Sequence, residues 1–267
     1  MLDIEFNKSE EFKRLYHGRG LKDFFTIDSI GNTLLIEIFE DKELDIDLSK
    51  VVHENIILKK RFSNEVIALK GEIPKELYAI ENGLKFKVNL FNQNIGFFGD
   101  IKPAREYIKN ISKDKNVLNL FSYTCAFSVY ARAGEAKRIV NIDLSKSALK
   151  VGQANHQINN LSTKNISFLS YNVLYSFNRL KDKFDVVIID PPTFQKGSFD
   201  IKKDYFKIAS KLTKILNEKA IIVATVNSPF LDKEFLKEVF KEFSLIDEIE
   251  PNPDYTNSSL KVLVFQN

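Results

Sequence analysis

Residues 184–197 read FDVVIIDPPTFQKG and contain the clearest fold signal in the chain. Residues 186–189 (VVII) form an uninterrupted apolar run, which is typical of a strand buried on both faces of a parallel sheet. Asp190 and the pair Pro191-Pro192 follow at once, and prolines do not continue a central strand. We therefore predict a buried strand that ends at Asp190 and is followed by a rigid loop.

The chain around this strand alternates short apolar strands with helices. We predict strands at 117–121, 138–142, 166–169, 184–190 and 220–226, and helices at 103–111, 126–133, 146–159, 205–216 and 233–243. Two closing strands, at 245–249 and 260–266, have little sequence between them, which indicates one antiparallel strand at the end. The predicted fold class is α/β, with a Rossmann-like sheet of seven strands that is mostly parallel and has its last strand antiparallel.

Residues 1–82 have a different pattern, richer in strands. Strands are predicted at 24–28, 33–39 and 65–69, and a further pair at 78–80 and 85–91 is joined by a hairpin turn at Asn82-Gly83. A rough helical period over 48–61 predicts a helix. We therefore expect two domains: a small α+β domain over 1–82, which could position a substrate, and a second domain over 83–267 that begins with the hairpin.

Charge divides along nearly the same line. The 267 residues carry a net charge of +3, but residues 1–80 hold 12 Lys and Arg against 16 Asp and Glu, a net −4. The remaining residues hold 27 against 20, a net +7. The single cysteine, Cys125, excludes an intrachain disulfide and a cysteine-rich metal cluster, and with only three histidines in the chain we predict no metal site.

No targeting or membrane segment is expected. The first residues are acidic and lack the basic and apolar regions of a signal peptide. No run of about 18 apolar residues is present, so no membrane span is predicted. These features predict a cytoplasmic protein and leave its oligomeric state open.

Two strand ends carry polar residues that suit a nucleoside. In an open parallel sheet, ligands bind at the carboxyl ends of the strands, near the point where the strand order reverses. Asp143 ends the second predicted strand, 24 residues after Asn119 on the first, and an acid at this place can accept both ribose hydroxyls. The glycine-rich fingerprint that cradles a pyrophosphate is absent between Asn119 and Ala133. A nucleoside without phosphates therefore fits better, and S-adenosylmethionine is the predicted cofactor.

A third strand end is formed by Asp190 and its prolines. Consecutive prolines fix the backbone and remove two N–H donors, so we predict that Asp190 and the exposed carbonyls point acceptors into a cleft. Phe194 offers a flat face on which a base can stack. A rigid loop with Phe194 packed inside is the alternative explanation.

Nearly the whole chain resembles class I S-adenosylmethionine-dependent methyltransferases, and within them the branch that modifies large-subunit ribosomal RNA at cytosine or guanine. The resemblance rests on residues 118–127 (LNLFSYTCAF), 141–149 (NIDLSKSAL) and 184–197, with further matches at 96–100 (GFFGD) and 14–20 (RLYHGRG). It implies a class I methyltransferase sheet in the second domain. It also implies S-adenosylmethionine as cofactor and RNA, in particular 23S ribosomal RNA, as partner.

The resemblance implies roles for individual residues as well. The cofactor would be held by Asp100, Arg105, Asn119, Phe121, Ser122, Tyr123, Thr124, Asp143 and Asn172. The catalytic set that faces the target base would be Asp190, Pro191 and Phe194, and the substrate would also contact Lys196, Asn227 and Tyr205. Two positions depart from the family: Lys102 replaces the usual Arg, and Asn172 replaces an Asp near the adenine amine.

One residue decides the predicted target. Methylation of cytosine at carbon 5 needs a covalent cysteine, because that carbon is a poor nucleophile. In the cytosine branch this cysteine follows the fifth strand, where the chain has Asn227, and Cys125 lies in the predicted cofactor loop. We therefore predict methylation of a guanine nitrogen in ribosomal RNA. A methyltransferase of a metabolite or protein, and a catalytically weak RNA-binding or assembly module of the same fold, are the alternatives.

Overall fold

The computed structural model describes residues 5–18, 24–195 and 198–267. The chain divides into an N-terminal unit, Met1–Asp100 with Asn252–Ser258, and a C-terminal unit, Ile101–Pro251 with Ser259–Asn267. The expected boundary between residues 82 and 83 falls in the turn of a hairpin, and both strands of this hairpin belong to the N-terminal unit.

The N-terminal unit is built from strands in its described part. They are β1 (Lys13–His17), β2 (Phe25–Ile30), β3 (Thr33–Ile38), β4 (Asn55–Lys60), β5 (Glu65–Lys70), β6 (Leu77–Glu81) and β7 (Leu84–Val88). The first five form one sheet in the order β1-β2-β3-β4-β5, in which only the β3–β4 pair is parallel. Strands β6 and β7 form the predicted hairpin.

The helix predicted over 48–61 is wrong. Its second half is β4, which pairs in parallel with the fully buried β3, and no helix occurs among the described residues of this unit. The α+β class predicted for this region is therefore corrected to a β structure. Ile56 and Ile57 are β-branched and favour a strand, and pairing along β3 outweighs the weak helical period. Val51 still packs into the core from an irregular segment.

The C-terminal unit alternates strands and helices. Its strands are β8 (Asn116–Leu120), β9 (Arg138–Asp143), β10 (Ile166–Ser170), β11 (Phe184–Ile189), β12 (Phe194–Gln195), β13 (Phe199–Asp200), β14 (Leu216–Asn227), β15 (Ser244–Ile249) and β16 (Leu260–Gln266). Its helices are α1 (Lys102–Ile111), α2 (Ala126–Ala133), α3 (Lys146–Ile158), α4 (Val173–Ser176), α5 (Ile201–Leu212) and α6 (Lys233–Val239).

Seven of these strands form one sheet in the order β10-β9-β8-β11-β14-β16-β15. Strand β16 is antiparallel to both β14 and β15, and every other pair is parallel. The predicted α/β class, with seven strands of which the last is antiparallel, is confirmed. The short strands β12 and β13 form a separate hairpin.

The strand order indicates at which edge of the sheet a ligand would bind. Alternate residues of β8 enter two cores: Leu118 and Leu120 lie in the core that includes α5 and α6, and Val117 lies in the core that includes α1 and α2. The chain leaves β8 toward β9 on one side and reaches β11 on the other, so the strand order reverses between β8 and β11. The loops after β8, β9, β11 and β14 therefore meet at one edge of the sheet.

Helix α5 lies four residues earlier than the predicted helix over 205–216. Its buried face runs continuously from Ile201 to Leu212, and the Asp200 carboxylate accepts a hydrogen bond from Lys202 N at 3.0 Å to cap its start. Leu216 already belongs to β14. None of the helices in the described ranges is long and apolar enough to cross a membrane.

Candidate cofactor and substrate site

The loop after β8 has an unusual backbone. Phe121, Tyr123 and Cys125 all have positive φ angles, of 57°, 45° and 60°, although none is glycine. Such conformations cost energy and persist only where surrounding contacts hold them. Here Ser122 N donates to Ile142 O at 3.1 Å, Tyr123 N donates to Asp143 Oδ2 at 2.8 Å, and Cys125 N donates to Ser122 O at 2.7 Å. The loop is thus fixed against the end of β9.

Asp143 connects the loop after β8 with the start of α3. One carboxylate oxygen accepts from Tyr123 N and the other from Ser145 N, each at 2.8 Å. Burial raises the pKa of the Asp143 carboxyl, while these two N–H donors act in the opposite direction. Each carboxylate oxygen has a further lone pair, so Asp143 can still accept the two hydroxyls of a ribose.

A chain of buried polar side chains lies beneath the loop. Asn119 Nδ2 donates to Asn141 Oδ1 at 3.0 Å, and Asn141 Nδ2 donates to Ser128 Oγ at 3.0 Å. Ser128 Oγ lies 3.0 Å from His156 Nε2, and His156 Nδ1 lies 2.8 Å from Gly152 O. The side chains come from β8, β9, α2 and α3, and all of them are buried.

The carbonyl of Gly152, at the last contact, sets the direction of every hydrogen bond in this series of side chains. A carbonyl only accepts, so His156 Nδ1 carries the proton donated to Gly152, and burial lowers the pKa of His156 and keeps the ring neutral. Nε2 is then an acceptor, Ser128 donates to it, and the amides of Asn141 and Asn119 are oriented in turn. The chain leaves Asn119 Oδ1 as a buried acceptor with no partner among the described residues. S-adenosylmethionine carries ammonium, amine and hydroxyl donors, so a polar acceptor at this strand end fits it.

We expect that breaking this chain of hydrogen bonds weakens cofactor binding. In Ser128→Ala, Asn141 Nδ2 loses its acceptor at 3.0 Å and keeps only Ser167 O at 3.5 Å, so the orientation of Asn141 and Asn119 is less well fixed. We expect the Kd for S-adenosylhomocysteine, measured by calorimetry, to rise about 10-fold, which is the size of one buried hydrogen bond left unmade. The matched control is Ser112→Ala, which removes another buried serine hydroxyl, bonded to Ile108 O at 2.6 Å. An equal rise of Kd in both variants would contradict the role of the chain.

Cys125 lies in a different environment from a catalytic cysteine. Its side chain is completely buried, and a Cβ at the glycine of α3, Gly152, would collide with its sulfur. Burial raises the pKa of the thiol, so the reactive thiolate is suppressed. Cys125 therefore packs the loop onto α3.

The thiol is accordingly predicted to be unreactive in the folded protein. Iodoacetamide at pH 8 should leave Cys125 unmodified under native conditions and alkylate it after unfolding in guanidinium chloride, as read by intact mass. The variant Cys125→Ala should retain methyl transfer within about 3-fold, because a structural role costs stability instead. Loss of all transfer in a variant that still binds S-adenosylhomocysteine would show that the thiol takes part in the reaction.

Three of the predicted cofactor residues belong to other segments of the chain. Asn172 caps the start of α4, with Oδ1 accepting from Leu174 N at 2.9 Å, so its amide Nδ2 is the group that suits an adenine ring nitrogen. Arg105, in α1, is 1% exposed, and its guanidinium carbon lies 5.8 Å from the centre of the Tyr130 ring. Asp100 belongs to the N-terminal unit, where its carbonyl accepts from Asn252 N at 2.8 Å. Their contact with the cofactor stays a prediction.

Of the other predicted cofactor residues, Asn119 lies in β8, Asp143 ends β9, and residues 121–124 form the loop itself. Asn119, Ser122 and Thr124 are buried, whereas Phe121 and Tyr123 are partly exposed. The ring of Phe121 packs edge-on against Phe199, with 4.8 Å between ring centres. The structure therefore brings this part of the predicted set together at the end of β8.

Asp190 stands at the end of β11, beside the end of β14. The Thr225 hydroxyl donates a hydrogen bond to Asp190 Oδ1, which fixes the orientation of the carboxylate. Asp190 is partly exposed and Pro191 is buried. The loop after the prolines is tied to β14, because Thr193 Oγ1 donates to Asn227 O at 2.8 Å. The carboxylate that would face a target base is thus held by two neighbouring strands.

Tyr205 does not contact the substrate as predicted. Its side chain is 0% exposed, and its hydroxyl lies 3.1 Å from Ile189 O and 3.0 Å from Thr225 O. Burial, followed by the charge of Asp190, raises the pKa of Tyr205 well above its ordinary value, so the group stays neutral and donates. Tyr205 therefore ties the ends of β11 and β14 together beneath Asp190. The apolar spacing of α5, with buried Ile201 and Ile208 on the same face, explains why this residue points inward.

The remaining substrate predictions fall at the rim. Asn227 is exposed at the end of β14, and its Oδ1 accepts from Ser259 Oγ at 2.7 Å. Phe194 begins β12, whose backbone pairs with Asp200, but its side chain lies outside the described part of the structure. Lys196 lies outside the described residues altogether.

Sequence-based reasoning does not identify Thr225 or the polar chain from Asn119 to His156. One clue is available for the chain: Asn141 is an amide within the apolar run of β9, a position where an unpaired polar group is costly. Thr225, by contrast, reads as an ordinary β-branched strand residue. Its function follows only from the pairing of β14 with β11.

This arrangement defines a class I methyltransferase site, and the comparisons agree. The family described as S-adenosylmethionine-dependent methyltransferase matches residues 13–265. The chain belongs to this family. A crystal structure assigned to a methyltransferase and complexed with S-adenosylhomocysteine superposes with a TM-score of 0.81, at 27% identity, over 96% of this chain and 75% of that one. S-adenosylmethionine is the cofactor, as predicted.

Within the family, the chain is similar to methyltransferases of large-subunit ribosomal RNA. It is 36% identical over 187 residues to ribosomal RNA large subunit methyltransferase K/L of Pseudoalteromonas translucida, a match of 67% of this chain and 26% of that protein. It is 31% identical over 220 residues to ribosomal RNA large subunit methyltransferase I of Aliivibrio fischeri, a match of 79% of this chain and 56% of that protein. The chain thus spans about a quarter of the first relative and little over half of the second.

Proposed function

We propose that this methyltransferase acts in the cytoplasm on 23S ribosomal RNA and methylates a nitrogen of a guanine. One observation carries the choice of atom. Asn227, the last residue of β14, stands where the nucleophile for cytosine carbon 5 would be, and the only cysteine of the chain is buried within the cofactor loop. Covalent attack on a pyrimidine ring therefore has no thiolate, whereas a guanine nitrogen brings its own lone pair.

The site supplies position and electrostatics for this reaction. When bound, S-adenosylmethionine supplies a methyl group activated by a sulfonium. The ordered loop from Phe121 to Cys125 and the carboxylate of Asp143 would hold the cofactor's methionine and ribose. Alignment of two reactants in this way is worth effective molarities of roughly 10⁵ M or more in favourable cases. No further covalent catalyst is required.

Asp190 would accept the proton that leaves the guanine, where one leaves. If the accepting atom is the ring N1 or the exocyclic amine, the nitrogen loses one proton as it gains the methyl group, and the charged carboxylate of Asp190 accepts a hydrogen bond from that N–H and then the proton. If the accepting atom is N7, no proton leaves, and Asp190 instead orients the base through its N–H groups. In both cases the hydroxyl of Thr225 keeps the carboxylate in place.

The names of the relatives and the charge distribution favour RNA as the substrate. The region after residue 80 has a net charge of +7, and Lys196 lies just after the Asp190 loop. Phosphate contacts by Lys196 and other basic residues of this region would make the affinity for RNA fall steeply as the salt concentration rises. We propose that the N-terminal unit positions the RNA. A flat salt response would instead favour a metabolite or protein substrate.

The direct test is transfer of labelled methyl groups by the purified protein. The substrate is protein-free 23S ribosomal RNA from a strain that lacks the protein, and the product is digested to nucleosides and separated. We expect the label in one N-methylated guanosine. Label in 5-methylcytidine would overturn the choice of target, and a protein that does not bind S-adenosylhomocysteine in calorimetry would overturn the enzymatic function itself.

A further inference from the structure

Phe230 projects from the loop between β14 and α6. Its side chain is 87% exposed, the highest value among the large apolar side chains that the structure describes. Isolated exposed apolar residues are ordinary on protein surfaces, so exposure alone assigns no role. Two further features distinguish Phe230: hydrogen bonds order the backbone of its loop, and the loop lies at the rim of the site.

The loop that carries Phe230 is held by hydrogen bonds to a neighbouring strand. Phe230 N donates to Ser228 Oγ at 3.2 Å, and Ser228 itself is buried. Ser228 N donates to Ser259 O at 3.3 Å, and Lys261 Nζ donates to Ser228 O at 2.7 Å and to Ser259 O at 2.8 Å. The backbone that presents the ring is thus ordered in advance, so little conformational entropy is lost when a ligand binds it.

The same loop is joined to the segment that would face the target base. Asn227 O accepts from Thr193 Oγ1 at 2.8 Å, and Thr193 is three residues from Asp190. Phe230 is three residues from Asn227. A segment of this length reaches at most about 11 Å, so the two backbones are no farther apart than that. The ring therefore lies within reach of a nucleotide adjacent to the one at Asp190.

We propose that Phe230 is a stacking platform for the nucleobase that neighbours the target guanine in single-stranded or bulged RNA. This inference rests on the proposed function. An enzyme that reacts with a base must take it out of the stack, and the neighbouring base then loses a stacking partner. An aromatic face at the rim replaces that partner, as in other proteins that recognise unpaired RNA.

The test compares Phe230→Ala, Phe230→Leu and Phe230→Trp in steady-state transfer to 23S ribosomal RNA. The alanine and leucine variants should raise the KM for RNA about 10-fold, the size of one lost stacked base, while kcat stays within about 2-fold. The tryptophan variant should match the wild type. The slope of affinity against salt should not change, because a stacked ring releases no counterions. Leu245→Ala, which truncates an exposed residue on β15, is the control and should leave KM unchanged.

Each result decides the inference. If the alanine variant has the wild-type KM for RNA, the inference is overturned while the proposed function stands. If the leucine variant has the wild-type KM, the inference is overturned in the same way. A joint fall of kcat and of S-adenosylhomocysteine affinity in the alanine variant assigns Phe230 a structural role and also overturns it. If the wild-type protein methylates no RNA, the proposed function fails and the inference fails with it.

Discussion

Replacing Asp190 by alanine should lower kcat for methyl transfer by at least about 100-fold, while the Kd for S-adenosylhomocysteine stays within about 2-fold. For transfer to N1 or the exocyclic amine, where Asp190 takes the proton, the size follows from the usual contribution of a positioned base, about 10² to 10⁴. The carboxylate is held by the Thr225 hydroxyl at the end of β11. Rapid-quench transfer assays and calorimetry measure the two quantities.

Two further variants separate charge from packing at this position. Asp190→Asn keeps the shape and loses the negative charge, so it should be nearly as slow as the alanine variant. Thr225→Val keeps the packing of a β-branched residue and removes the hydroxyl, so we expect a smaller loss, of about 10-fold, from a misoriented carboxylate. An Asp190→Asn variant with wild-type kcat would contradict the role given to the charge.

Replacing Asp143 by alanine should raise the Kd for S-adenosylhomocysteine about 100-fold. Two hydrogen bonds from ribose to a charged carboxylate account for about 3 kcal/mol, and the loop around Tyr123 loses its anchor as well. Calorimetry measures the affinity, and the melting temperature shows whether the variant is folded. A folded variant with unchanged affinity would contradict the assignment of the ribose to Asp143.

Asp143 also gives the cofactor affinity a pH dependence. Burial raises the pKa of this carboxyl, and the charged form is the better acceptor. The affinity of the wild type should therefore weaken as the pH falls through this raised pKa, at a higher pH than an ordinary aspartate would give. Asp143→Asn has no charge to lose, so its weaker affinity should be independent of pH over the same range.

The sheet of the C-terminal unit could be predicted because its information is local. The VVII run of β11, the polar residues that end β8 and β9, and the lack of a helix between β15 and β16 each follow from a few adjacent residues. The helix over 48–61 shows the limit of such reasoning. A rough period of apolar residues was compatible with a helix, but pairing of Ile56 and Ile57 along β3 decided the outcome, and that partner lies about 20 residues away.

The candidate site shows the same limit at the level of side chains. Asp143 and Asp190 are predictable because they end apolar strands at the ligand edge. The inward orientation of Tyr205, the contact between Thr225 and Asp190, and the chain from Asn119 to His156 depend on neighbours up to 35 residues away in sequence. No local pattern distinguishes these residues from ordinary core residues before the strands are paired.

The most direct measurement is a comparison of modified nucleosides in 23S ribosomal RNA, by mass spectrometry, from three strains. One strain has the wild-type protein, one lacks it, and one carries Asp190→Ala at the same protein level. We predict that a single N-methylated guanosine is present in the first strain and absent from the other two. A profile that is the same in all three strains, or the loss of 5-methylcytidine instead, would contradict it.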